Sequence, residues 1–167
     1  MLINEIGGVN IKDDTFATPP TVKELYRAGG AIGVGLATVM DTVAAATTNV
    51  GSQVIVAPVS TAAATDWAMS QRFTGIYTGV GGTGTETAVS GLSGKAAVAG
   101  DMILVVQKGM VSAVADATVT TITAVKHGSS TAGRVMDSAF IASTGIPTIG
   151  VSLEGATVGV AFRIVLK

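Results

Sequence analysis

Few side chains in this sequence can do chemistry, so their spacing decides how they are read. His127 is the only imidazole among 167 residues, and there is no Cys. Acid–base or nucleophilic catalysis needs groups that titrate or attack, held within hydrogen-bond reach of one another. The run His127-Gly128-Ser129-Ser130 offers a base and two hydroxyls. A triad also needs a partnered carboxylate, and no nucleophile-elbow pattern surrounds either Ser. The run reads as a turn, where Gly and Ser are common. Asp13-Asp14 could hold a hard cation, but no third acid follows at EF-hand spacing. Asp101, Asp116 and Asp137 fall beside expected strands and turns, where Asp serves local hydrogen bonding.

Two glycine-rich runs invite a phosphate reading. Gly79-Val80-Gly81-Gly82-Thr83-Gly84 matches G-x-G-x-x-G and follows an expected strand. A dinucleotide site needs a helix to open at once, with its N-terminus facing the pyrophosphate. Gly91 and Gly94 interrupt the next turns, so a flexible surface loop is expected. Gly94-Lys95 fails as a phosphate loop, because Val89 stands at the first Gly position and Ala96 at the Ser/Thr position. Trp67, Phe73 and Tyr77 could stack on a sugar, although such residues more often anchor a core. These readings predict no catalytic residue, no cofactor and no metal site: the chain is not expected to be an enzyme.

The elements that would position any site are short. Leu2, Ile3, Ile6, Val9 and Ile11 lie in a stretch without lasting period, broken by Gly7-Gly8 and Pro19-Pro20. Residues 1–30 are read as an N-terminal arm and 31–167 as a β-rich domain, with a possible sub-boundary near 70. Thr21 with Glu24 matches a capping box, which predicts a helical turn over Thr21 to Arg27. Strands are expected at 31–43, 54–59, 72–78, 101–109 with 110–114 as its returning partner, 118–125, 149–153 and 160–166. The last two are expected to pair around Glu154-Gly155-Ala156-Thr157. Ala44 to Asn49 reads as a turn, Ser60 to Ser70 as loop or short helix, and Arg134 to Phe140 as a short apolar segment. Phe73 to Tyr77 echoes Thr148 to Ser152, which suggests equivalent strands of one barrel. Short strands between Gly turns argue an all-β sandwich or barrel.

Composition points the same way. Apolar residues make up 48% and charged residues 13%, against roughly a quarter charged in ordinary soluble domains. Gly numbers 22, and aromatic residues make up 4%. Small side chains bury little area each, at about 25 cal/mol per Å², and a charge-poor surface resists association weakly. Both favour a subunit of something larger. Ten basic residues are spread along a chain of net charge −1, so nucleic acid is not an expected partner. The longest uncharged apolar run, Ala28 to Met40, falls short of the ~18 residues that span a bilayer. No basic n-region follows Met1, so no signal peptide and no membrane are expected. The absence of Cys fits a reducing compartment.

One segment, Ala99-Gly100-Asp101-Met102-Ile103-Leu104-Val105-Val106-Gln107-Lys108-Gly109-Met110-Val111, carries a family likeness. The tail Ile149-Gly150-Val151-Ser152-Leu153-Glu154-Gly155-Ala156 to Phe162-Arg163-Ile164-Val165-Leu166 strengthens it. Together they resemble the small head decoration, or capsid cement, proteins of tailed bacteriophages, over roughly residues 72–167. Ser152 stands where that family commonly has Ala. The resemblance implies a compact β-barrel or β-tulip-like fold, often trimeric. It implies a virion protein, made in the host cytoplasm, that binds the capsid exterior, bridges major capsid subunits and stabilises the shell. It brings no catalytic residues. On this reading Leu2, Ile3, Ile6, Val9 and Ile11 of the extended arm are the expected capsid or subunit contacts, by adding a strand to a neighbour's sheet. Alternatives are another structural phage subunit, such as a head-fibre base or tail tube, a glycan-binding module using Trp67 and Tyr77, and an enzyme that depends on His127.

Overall fold

The computed structural model describes residues 5–6, 9–10, 21–40, 55–61, 72–138 and 148–167. Strands β1 (Glu5–Ile6) and β2 (Val9–Asn10) pair with each other, antiparallel. Nine further strands form one continuous sheet: β3 (Val22–Ala28), β4 (Ala37–Met40), β5 (Ile55–Pro58), β6 (Phe73–Tyr77), β7 (Met102–Val114), β8 (Ala124–His127), β9 (Val135–Asp137), β10 (Gly150–Ser152) and β11 (Ala161–Leu166). Neighbours run β3-β5-β4-β6-β7, and β3 also pairs with β7, which closes these five into a barrel. The β3–β5 pair is parallel and the rest are antiparallel, so the barrel is mixed. Beyond β7 the sheet continues as four outer strands, β11-β10-β8-β9. The expected all-β barrel is present.

Strand β7 explains both halves. Its residues Met102 to Lys108 pair with β3, and Gly109 to Val114 pair with β11. Successive side chains on a strand face opposite ways, and β7 uses this at Val105-Val106. Val105 joins Tyr26, Ala28, Val56, Tyr77 and Ile103 in a cluster drawn from four of the five barrel strands. Val106 joins Val39, Ile76, Val125, Val135, Phe162, Ile164 and Leu166 in a second cluster, between the barrel wall and the outer strands. At about 25 cal/mol per Å², small Val and Ala side chains stabilise such layers only when packed on both sides of a shared wall.

Several expectations are corrected. Thr21 to Arg27 is not a helical turn. A helix this short has a costly nucleus, whereas β3 finds six register partners on β7 and buries Tyr26 and Ala28 on alternate positions. The arm drawn at residues 1–30 therefore overlaps the barrel, which takes in Val22–Ala28. Residues 101–109 and 110–114 are not a hairpin. β7 runs straight on through Gly109, whose φ of +95° bends the strand without reversing it, because both halves have better partners elsewhere. The β-branched run 118–125 is strand only from Ala124. Within 31–40, the described part of the stretch 31–43, strand is present at Ala37–Met40, after an isolated pairing of Ile32 with Ala97. The pairing of β10 with β11 is as expected. The segments 44–49 and 62–70, Trp67 included, lie outside the described residues.

The echo between Phe73–Tyr77 and Thr148–Ser152 does not mark one barrel, since β6 belongs to the barrel and β10 to the outer strands. What the two share is backbone proximity. A Cβ on Gly75 would sit 2.2 Å from the Val106 carbonyl oxygen, and one on Gly150 would sit 2.2 Å from that of Val165. Glycine lets each strand approach its neighbour. Gly75→Ala and Gly150→Ala are each expected to lower stability by about 2 kcal/mol or more. Gly30→Ala, with no atom within 4 Å of its Cβ, should stay within about 0.5 kcal/mol. Urea unfolding of the three variants checks the contrast.

Candidate interaction surface

Residues read from sequence as chemically capable are used up in the architecture. His127 is fully buried, with its ring tilted against Phe73 at a centroid distance of 5.2 Å. The ring does not reach solvent, where the enzyme alternative would use it. Tyr77 is fully buried too, and its hydroxyl donates to the Lys95 carbonyl at 2.7 Å. Burial raises its pKa, and its ring offers no stacking platform, so the glycan reading loses one of its two aromatics. Asp13 and Asp14 lie outside the described residues. The three later aspartates bond main chain and hydroxyls, but apart from Asp101 to Val98 the partners lie 14 to 18 residues away rather than locally as expected. Asp101 accepts from the amides of Val98 and Thr83 and from the Thr83 hydroxyl, and these bonds hold its carboxyl below the usual range. Asp116 accepts from the amides of Ser130 and Thr131, and Asp137 from the amide and hydroxyl of Thr120.

The glycine-rich run is not a free loop. A Cβ on Gly81 would sit 2.0 Å from the Met102 carbonyl oxygen, and one on Gly82 2.3 Å from the Tyr77 hydroxyl. Main-chain bonds from Gly84 to Ala96, Thr87 to Gly94 and Lys95 to Gly79 fold the segment back on itself. The glycines serve close packing of the segment on itself and, at Gly81, against the start of β7, which leaves no cradle for a phosphate.

The surface that stands out lies at one end of the outer strands, where β10 ends and β8 and β11 begin. Two turns meet there, residues 118–123 and 153–160. Val119 and Ala156 exchange two main-chain bonds, at 2.8 and 3.0 Å. Ile122 donates its amide to the Ser152 carbonyl at 3.1 Å. The buried Ser152 hydroxyl accepts from the Thr123 amide at 3.0 Å and donates to the Thr120 carbonyl at 2.6 Å. Asp137 holds the other side of Thr120. Across the hairpin, Glu154 accepts from the Arg163 amide at 2.8 Å and from its guanidinium at 3.1 and 3.2 Å, which keeps the Glu154 carboxyl below its usual pKa.

This bracing holds Ile122 at φ +56°, the single non-glycine residue with positive φ among the described residues. For a β-branched side chain this conformation is strained, and strain of this kind persists only where the surroundings over-determine it. Yet the side chain is 79% exposed. Leu153, Val158 and Val160, on the turn bonded to it, are exposed as well. The result is a rigid, apolar knob at the tip of the fold.

Sequence reasoning missed it. Thr118 to Val125 has the composition of a strand, and nothing about an Ile announces a left-handed backbone. The one trace was Ser152, the departure from the family pattern, whose hydroxyl braces the turn. The five arm residues are not tested here: Leu2, Ile3 and Ile11 lie outside the described residues, while Ile6 falls in β1 and Val9 in β2.

Comparison with known proteins gives little. No family model matches the chain, and no curated protein matches it. Among solved structures, the head fiber gp8.5 N base of bacteriophage phi29 is similar, at 12% sequence identity and a TM-score of 0.48. The match covers 89% of this chain and 95% of that one. No helix among the described residues is long and apolar enough to cross a membrane.

Ile122→Asn should raise stability by about 1 kcal/mol, because Asn tolerates the left-handed region and little burial is lost. Ser152→Ala should lower it by about 1–3 kcal/mol by leaving the bonded main chain unsatisfied. Denaturant unfolding of both variants checks the opposite signs.

Proposed function

We propose that this chain is a structural protein attached to the outside of a tailed-phage head, using the Ile122 turn as a contact. The observation that supports it is the strained, braced and exposed Ile122. A backbone pre-set in one conformation loses little entropy when a partner buries its side chain, and a few buried anchors dominate interface energy. The likeness of residues 99–111 and 149–166 to capsid cement proteins supplies the kind of partner, the major capsid protein. The finer role is cement, in which the chain bridges capsid subunits and stabilises the shell by binding only its assembled form. The other finer role is the base of a head fibre, which needs attachment but no bridging. Leu2, Ile3, Ile6, Val9 and Ile11 would make a second contact, through a strand added to a neighbour. A homotrimer is part of the cement role.

Heads lacking this protein, incubated with the purified chain, should take it up, and Ile122→Asp should weaken uptake at least tenfold while the variant stays folded. Deleting residues 1–20 should weaken it further. Shell rupture temperature then separates the roles: it rises with saturation if the chain is cement and stays level if it is a fibre base. Undiminished uptake of Ile122→Asp would remove the knob from the contact.

A further inference from the structure

His127 stands at the end of β8 opposite the Ile122 tip, and no role described so far uses it. The ring is fully buried, and neither nitrogen has a hydrogen-bond partner among the described residues. Unsatisfied buried polar atoms are uncommon and each costs stability. Its aromatic neighbour is Phe73 of β6, so the ring joins a barrel strand to an outer strand. The outer edge it belongs to is thinly attached. β8 pairs with β10 only at Ala124 and Val125, and three-residue β9 adds one isolated pairing with Ala115 beyond its three pairs to β8.

We propose that protonation of His127 releases the β8–β9 edge of the sheet while the barrel stays closed. Charge cannot be accommodated where the ring sits. Among the described residues, the charged groups on the elements round it are otherwise engaged or face elsewhere. Asp116, ahead of β8, accepts from Ser130 and Thr131. Asp137, at the end of β9, accepts from Thr120. Arg72, just before β6, donates to the Met40 carbonyl. Lys126 alternates to the other face of β8, and the Arg134 guanidinium lies by Gly159. None of them offers the ring a compensating carboxylate. Burial alone accordingly holds the imidazole down to about 4, against 6.5 for a free one. The opened edge takes up the proton between those values. The edge is therefore held fully above about 6.5 and loosens as pH falls toward 4, with opening approaching tenfold per pH unit. Opening the edge relieves the buried charge at the cost of a few strand pairs and the burial of Val125 and Val135, whereas the barrel keeps its five-strand closure.

Amide hydrogen exchange on the full chain tests this. Between pH 6.5 and 4.5, protection at Val125, His127, Val135 and Met136, corrected for intrinsic rate, should fall by about tenfold or more. Protection at Tyr77, Ile103 and Val105 should hold. His127→Leu should remove the response of the edge. The imidazole signal of the unmodified chain should titrate well below 6.5, a readout that stands even if His127→Leu does not fold. Titration near 6.5, equal loss at edge and barrel, or an unchanged response in His127→Leu would overturn the proposal.

Discussion

The barrel and the outer strands have one strand in common, and the rest of the molecule is arranged round that fact. β7 spends its first half closing the barrel against β3 and its second half carrying β11. Its thirteen residues, at about 3.3 Å each, reach roughly 40 Å, far more than a small barrel needs. Because Val105 and Val106 point to opposite faces, each of two apolar clusters contains a residue of the same short stretch. Both clusters therefore rest on one strand. For a chain built from Val, Ala and Gly, whose side chains contribute little individually, a wall used from both sides is the economical way to reach a stable fold.

How much of this was legible in the sequence depended on how local each cause was. The β10–β11 hairpin was readable because the turn and both strands lie within seventeen residues of chain. The strand core 102–106 was readable from its unbroken apolar run. The continuation through Gly109 was not, because the deciding partners, Val22 and Leu166, are far away in sequence. The same holds for β3, where a local capping pattern lost to a distant strand edge. A turn residue such as Gly can end a strand or merely bend it, and only the position of the neighbours separates the two.

The surface was harder still. Loops rich in glycine suggest mobility, yet the segment from Gly79 to Gly94 is packed on itself and, at Gly81, on β7, with no room for a side chain at several positions. The run Thr120-Thr121-Ile122-Thr123 suggests a regular strand, yet it holds the most constrained backbone in the described structure. In both places the sequence pattern describes what the residues prefer alone. Hydrogen bonds to Asp137 and Ser152 decide what they do together. A hydroxyl at position 152, where Ala would pack equally well, makes sense only through those bonds.

The register of β7 has one more consequence. Val22 and Leu166 pair with Lys108 and Gly109, consecutive residues at the middle of the strand. The first residue of β3 and the last of β11 thus meet β7 at neighbouring positions. The Ile122 tip lies at the other end of β11, six residues or about 20 Å away. The braced Ile122 turn and the entry and exit of the sheet thus lie at opposite ends of β11. A pull applied between those two ends would run along the backbone of β11 rather than across its packing.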